Sequence, residues 1–207
     1  MDSFSDQFEK RNWAEVSAKI NSTTSKNIEM ALEGAGEGGL DDLAALLSPL
    51  ANKEYLEDMA QLANQLTMQR FGKAIRLFAP IYLSNECNNV CDYCGFSMGN
   101  DIARKTLSPA EILREIGILR KLQFDHVLLV TGESSQKVGV DYLYDSISVL
   151  NEYFSNVSME VQPLKSDEYS YLISAGLHAV LVYQETYEKK SYSKHHIKGK
   201  KRNFDWR

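Results

Sequence analysis

Ile81-Tyr82-Leu83-Ser84-Asn85-Glu86-Cys87-Asn88-Asn89-Val90-Cys91-Asp92-Tyr93-Cys94-Gly95-Phe96 carries an apolar run into a loop holding every cysteine of the chain. The spacing is Cys-x3-Cys-x2-Cys, and loops that short let three thiolates converge on one inorganic centre. An iron–sulfur cube is normally held by four cysteines, so three leave one iron open to another ligand. Two other readings compete. A structural zinc site needs a fourth protein ligand, which would have to be His126, His178, His195 or His196, none at a finger-like spacing. A redox pair of Cys91 and Cys94 leaves Cys87 without a role.

Toward the C-terminus the pattern alternates between strand and helix. Residues 75–83 read as a strand with Pro80 in its middle. Ser108-Pro109-Ala110-Glu111 announces a helix, with a capping serine, proline at the first helical position and glutamate to close a capping box. Its predicted buried face is Ile112, Leu113, Ile116 and Leu119. Residues 126–130 form a continuously apolar run, as expected of a strand buried on both faces. Leu143, Ile147, Leu150 and Phe154 mark the next helical face. A strand at 158–162 follows, stopped by Pro163, then a helix at 169–175 ended by Gly176 and a fourth strand at 179–183. Such repeats with short connections imply an α/β fold with a parallel sheet and right-handed crossovers.

Polar groups gather after each predicted strand. The first leads to the cysteines, the second to Thr131-Gly132-Glu133, the third presents Glu160 and Gln162 opposite Met159 and Val161, and the fourth ends in Gln184-Glu185. In a parallel barrel, that rim is where active sites are built.

Toward the N-terminus, residues 1–72 read as a helical extension packed against the main domain, which occupies 73–207. Short helices are expected at 13–20, 41–47 and 52–69, the last with a core-facing stripe of Tyr55, Met59, Leu62 and Leu66. The glycine-rich stretch at 34–39 lacks the strand before it and the Lys-Ser/Thr after it that a phosphate loop requires, and is read as a break.

The 207 residues are 43% hydrophobic and 25% charged, ordinary for a globular chain, with a net charge of −5. That balance argues against a nucleic-acid partner, and a basic run at 189–202 is read as a solvated loop. No apolar run is long enough to cross a membrane. The start at Met1-Asp2-Ser3 is acidic and polar, unlike a signal peptide, and three free thiols suit the reducing cytoplasm.

The cysteine loop, with an aromatic before its last Cys, resembles that of the radical S-adenosylmethionine superfamily. Residues 82–85, 95–98, 129–133, 160–164, 182–187 and 195–201 together resemble its aromatic amino-acid lyase branch, over nearly the whole chain. The resemblance implies a TIM-type (β/α) barrel, here partial because only four of about six strands are read. Cys87, Cys91 and Cys94 would hold a 4Fe–4S cluster whose open iron binds S-adenosylmethionine. One electron would cleave that cofactor to a 5′-deoxyadenosyl radical, which breaks the Cα–Cβ bond of tyrosine to give 2-iminoacetate and p-cresol for the thiazole of thiamine.

By the same resemblance, Tyr93 lies beside the adenine, and Thr131, Gly132 and Glu133 hold the methionine ammonium, with Thr131 replacing a glycine of the usual motif. Glu160 and Gln162 reach ribose or methionine, and Gln184 and Glu185 line the cofactor or tyrosine pocket. Each is also the kind of polar residue that stabilises a strand end. Implied partners are L-tyrosine, an electron donor such as flavodoxin or ferredoxin, and thiazole synthase. A non-catalytic cluster-binding or electron-transfer protein, or a lyase for the hydrogenase cofactor or for tryptophan, are the alternatives. An incomplete barrel is also expected to be poorly soluble and not to cleave tyrosine alone.

Overall fold

The computed structural model describes residues 4–206; the acidic start at Met1-Asp2-Ser3 and the final Arg207 lie outside them. The chain divides into two units, residues 1–75 and 76–207. The division falls after Ile75, slightly beyond the boundary read from the sequence.

The first unit is helical: α1 (Phe4–Glu9), α2 (Trp13–Asn21), α3 (Ser25–Glu33), α4 (Leu40–Leu46), α5 (Pro49–Glu54) and α6 (Leu56–Phe71). Its small core is Ile28, Ala31, Ala45 and Ala51, with Tyr55 and Met59 packed against it. The helix expected at 52–69 is two helices. Ser48 caps α5 by accepting a hydrogen bond from Ala51 N at 3.1 Å, with Pro49 at the first helical position, so this helix starts early. It ends at Tyr55, whose side chain packs on the core while its hydroxyl donates to Glu29 at 3.1 Å. The predicted stripe survives the break, since Tyr55, Met59, Leu62 and Leu66 are the half-buried positions of this stretch.

The second unit is built on β1 (Phe78–Ser84), β3 (His126–Thr131), β4 (Asn156–Glu160) and β5 (Leu177–Leu181), parallel and in that order across one sheet. Helices α7 (Pro109–Lys121), α8 (Val140–Asn151) and α9 (Ser166–Ser174) connect them, and β2 (Val90–Cys91) lies in the cysteine loop. Pro80 is tolerated because β1 has a sheet neighbour on one side only. Alternate residues Ala79, Ile81 and Leu83 of β1 are buried while Phe78 and Tyr82 are exposed. Val127 and Leu129 of β3, Met159 of β4 and the α8 face Leu143, Ile147 and Leu150 complete the core, with Phe154 beyond the helix end.

At α7 the capping box forms, with Glu111 Oε2 accepting from Ser108 N and Oγ, each at 2.8 Å. Its buried face is narrower than predicted. Ile112 and Ile116 are buried and Leu119 is partly so, but Leu113 is 48% exposed. Leu113 directly follows Ile112, a helical step of about 100°, which carries it off the face aimed at the sheet.

The register brings strand ends level: Ser84 pairs with Thr131, Val130 with Glu160, and Glu160 with Leu181. All four C-terminal ends therefore lie along one edge. Among the described residues no helix is long and apolar enough to cross a membrane.

Ile147, fully buried on α8, and Leu113 make a paired test. Ile147→Ala is expected to cost about 2–5 kcal/mol by urea denaturation, and Leu113→Ala to stay within about 0.5 kcal/mol. Equal costs would contradict the burial described for these helices.

Candidate functional site

The cysteine loop is fastened to the end of β3. Gly132 N donates to Ser84 O at 2.9 Å, and Asn88 N donates to Glu133 O at 2.9 Å. A Cβ on Gly132 would lie 2.3 Å from Glu86 O and 3.1 Å from Cys87 Cβ, so only glycine permits this approach. Asn89, buried between the first two cysteines, donates its amide to Glu133 Oε2 at 2.8 Å, and its backbone N lies 3.5 Å from Cys87 Sγ. Below the loop, the Arg104 guanidinium donates to the carbonyls of Asn85 at 2.7 Å, Phe96 at 2.9 Å and Ser97 at 2.7 Å. One planar cation thus ties both sides of the thiol-bearing turn.

The basic run at 189–202 is not a solvated loop. It forms α10 (Lys189–His195), β6 (His196–Lys198) and a short 3-10 turn at Lys200–Arg202, and β6 pairs antiparallel with β2. Gly199 adopts φ +96°, and a Cβ there would meet Asn89 Oδ1 at 2.2 Å. Lys201 N donates to the same Oδ1 at 3.0 Å. His195 Nδ1 lies 2.8 Å from Asp92 Oδ2.

His196 is buried and stacked on Tyr192 with ring centroids 3.8 Å apart. Its Nδ1 is 2.7 Å from the Tyr192 carbonyl, which can only accept, so Nδ1 carries a proton. Its Nε2 lies 2.6 Å from the Tyr93 hydroxyl oxygen, within hydrogen-bonding distance. The apolar and aromatic side chains Tyr192, His196 and Phe204 provide the burial that a loop reading, made from charge alone, did not anticipate.

Between these elements lies a cleft of about 240 Å³. Cys87, Cys91, Cys94, Tyr93, Thr131, Gly132, Glu133, Glu160 and Glu185 all line it, together with Lys201. Two residues predicted for the site lie elsewhere. Gln162 lines a neighbouring cavity and donates its amide to Val138 O at 3.2 Å. Gln184 is buried and turned toward Phe204 O at 3.4 Å. Asn89, Arg104, Tyr192 and Lys201 were not singled out from the sequence as site residues. The position of Asn89 inside the cysteine motif was the available signal for it.

The cleft has marked electrostatics. Burial pushes the Cys91 thiol up, Lys201 pulls it down, and the charges of Cys94 and Cys87 raise it again. Burial and then the Glu185 charge raise the Tyr93 phenol. Glu160 is raised by burial and by Glu185. Glu185 also feels burial, but the Lys201 ammonium at 2.6 Å and the Tyr93 hydroxyl outweigh it and hold its carboxyl below the usual range. Glu185 does this from a left-handed backbone, φ +69°, unusual for a residue with a side chain.

These residues fit a polynuclear iron centre and a zwitterionic ligand. Three thiols face one cleft, and together they are every cysteine in the chain. Thr131 Oγ1 is buried in the cleft wall without a hydrogen-bond partner, as expected where a ligand completes the bonding. Glu133 and Glu160 bring carboxylates suited to an ammonium to the cleft, while Lys201 is paired there with Glu185 at 2.6 Å.

Residues 81–207 match the Radical SAM superfamily, and the chain belongs to it. Members of that superfamily use a 4Fe–4S cluster and S-adenosylmethionine. The chain is 49% identical over 207 residues to 2-iminoacetate synthase of Escherichia coli (strain K12), covering 100% of this chain and 54% of that protein. It is 31% identical over 162 residues to 3-methylornithine synthase of Methanosarcina acetivorans, covering 74% of this chain and 44% of that one. It thus spans about half the length of the curated relatives it matches. Among solved structures, HydG, a maturase of the FeFe-hydrogenase, superposes with a TM-score of 0.87 at 26% identity, over 94% of this chain and 46% of that one.

The close approach at Gly132 can be tested against Gly95, which has nothing within 4 Å of a built Cβ. Gly132→Ala is expected to cost about 1–3 kcal/mol through overpacking and to reduce iron uptake on anaerobic reconstitution. Gly95→Ala should leave both unchanged. Full iron uptake by Gly132→Ala would show that this contact does not set the loop.

Proposed function

We infer that this chain is the cluster- and cofactor-binding part of a radical lyase that breaks the Cα–Cβ bond of L-tyrosine to 2-iminoacetate and p-cresol, supplying the thiazole of thiamine. The observation that carries the reading is the gathering of three thiols, Thr131-Gly132-Glu133, Glu160, Glu185 and Lys201 around one cleft at the C-terminal strand edge. The 49% identity to 2-iminoacetate synthase over the whole chain supports the substrate.

When bound, the cluster and the sulfonium cofactor supply radical chemistry that begins with one electron. The chain's own residues do the positioning. Cys87, Cys91 and Cys94 hold the cluster. Glu133, oriented by the Asn89 amide at 2.8 Å, accepts the cofactor's ammonium. Gly132 lets the backbone approach, and Thr131 Oγ1 gains its missing partner. Tyr93, held by His196, forms the wall for the adenine. Glu160 serves the ribose, and Glu185, fixed by Lys201, borders the cofactor and tyrosine space. Gln162 and Gln184, lying outside the cleft, support the adjoining loops. The helical unit at 1–75 is an extension to this domain.

Anaerobically reconstituted protein, reduced by one electron with dithionite, is expected to show a 4Fe–4S electron paramagnetic resonance signal that shifts when S-adenosylmethionine is added. Replacing any of the three cysteines by Ala should abolish it. Tight zinc with no iron uptake would overturn the reading, and a cluster indifferent to S-adenosylmethionine would favour an electron-transfer protein. Glu133→Gln should leave iron content intact but weaken cofactor binding by about 1.5–3 kcal/mol, roughly one to two decades in affinity. Release of p-cresol, measured beside a protein of the relatives' full length, tests the lyase step.

A further inference from the structure

The cleft accounts for only part of the segment from Lys189 to Arg202. That stretch holds seven of the chain's 23 lysines and arginines and no acidic residue, in a chain whose net charge is −5. Lys201 turns inward to Glu185, and Lys189 lies 3.7 Å from Asp205. Lys190, Lys194 and Lys198 stay exposed. Lys190 and Lys194 are four residues apart on α10 and so share one face.

The acidic groups around them are engaged. Asp92 holds His195, Asp205 faces Lys189, and Glu188 caps α10 by accepting from Lys190 N at 3.0 Å and Ser191 N at 2.6 Å. This positive surface sits on the cysteine loop itself. Lys198 pairs with Val90 and His196 with Cys91, so the lysine-bearing strand is the direct neighbour of the thiol-bearing one.

We propose that Lys190, Lys194 and Lys198 form the docking surface for an acidic one-electron carrier protein that reduces the cluster. This rests on the cluster reading above. In the step, the carrier's reduced flavin or iron–sulfur centre loses one electron and the cluster gains it, and no atom or proton is transferred. Charge complementarity selects the carrier, and adjacency to Cys91 makes the surface useful to it. A nucleic acid fits less well. The segment's rings Tyr192 and His196 are buried and so give bases nothing to stack on.

The test uses the reconstituted chain and follows bleaching of the cluster absorbance under two reductants. One is a reduced flavodoxin, an acidic protein; the other is 5-deazariboflavin photoreduced by a sacrificial amine donor, a small reductant without a protein surface. Reduction by flavodoxin should slow as salt rises. The triple variant Lys190→Glu, Lys194→Glu, Lys198→Glu should lower its rate at low salt by at least about tenfold, the scale of lost electrostatic steering. Reduction by deazariboflavin should be the same for both proteins. The triple Lys→Gln variant, a milder change, should fall between wild type and the Glu variant.

A cluster that deazariboflavin reduces but whose flavodoxin rate ignores salt and both variants overturns the docking surface and leaves the cluster reading standing. A chain that takes up no iron overturns both. Loss of RNA binding in the Glu variant with an unchanged flavodoxin rate would reassign the surface to nucleic acid.

Discussion

Between Glu86 and Gly132 the backbone of the cysteine loop comes so close to the end of β3 that no side chain fits. That approach fixes where the thiols sit relative to the sheet. From it follow the hydrogen bonds from Gly132 to Ser84 and from Asn88 to Glu133, and with them the placement of the Glu133 carboxylate beside the thiols. The parallel register then brings Glu160 and the residues after β5 to the same edge. The sheet provides the position and the glycine provides the clearance.

The cleft's charges form one set. Lys201 lies close to Glu185 and within electrostatic reach of Glu160 and Cys91, lowering the cost of holding them together in a partly buried space. Tyr93 and His196 add an aromatic arm, joined at 2.6 Å and anchored through the Tyr192 carbonyl. Their contribution is geometric, since buried His196 fixes the face that the half-exposed Tyr93 ring presents to the cleft.

Much of this was legible from local pattern. The strands after residue 75, the α7 capping box and the α8 face followed from periodicity and cap chemistry, which act over a few residues. So did the gathering of strand-end residues, because parallel strands place their C-terminal ends together. Leu113 and the break at Tyr55 escaped because each depends on which neighbour a helix meets. The folded basic run escaped for a stronger reason. Its charge is local, whereas the partners of His196 and Lys201 lie 103 and 112 residues away in sequence. β4 and β5 each begin and end two residues before the ranges expected, so Gln162 and Gln184 lie beyond the strand ends and their side chains turn to neighbouring loops.

Those sequence separations also set an order of assembly. Contacts between distant residues form late, because a long loop must close before they can help. During synthesis the N-terminal part emerges first, at about 5–20 residues per second. The thiols are therefore exposed on the growing chain well before Gly199 and Lys201 arrive to brace Asn89. Until that brace closes, the three cysteines occupy a loop fastened on one side only, open to oxidation or to the wrong metal. The thiol-bearing loop is thus braced from both sides only once residues more than 100 positions downstream have reached Asn89.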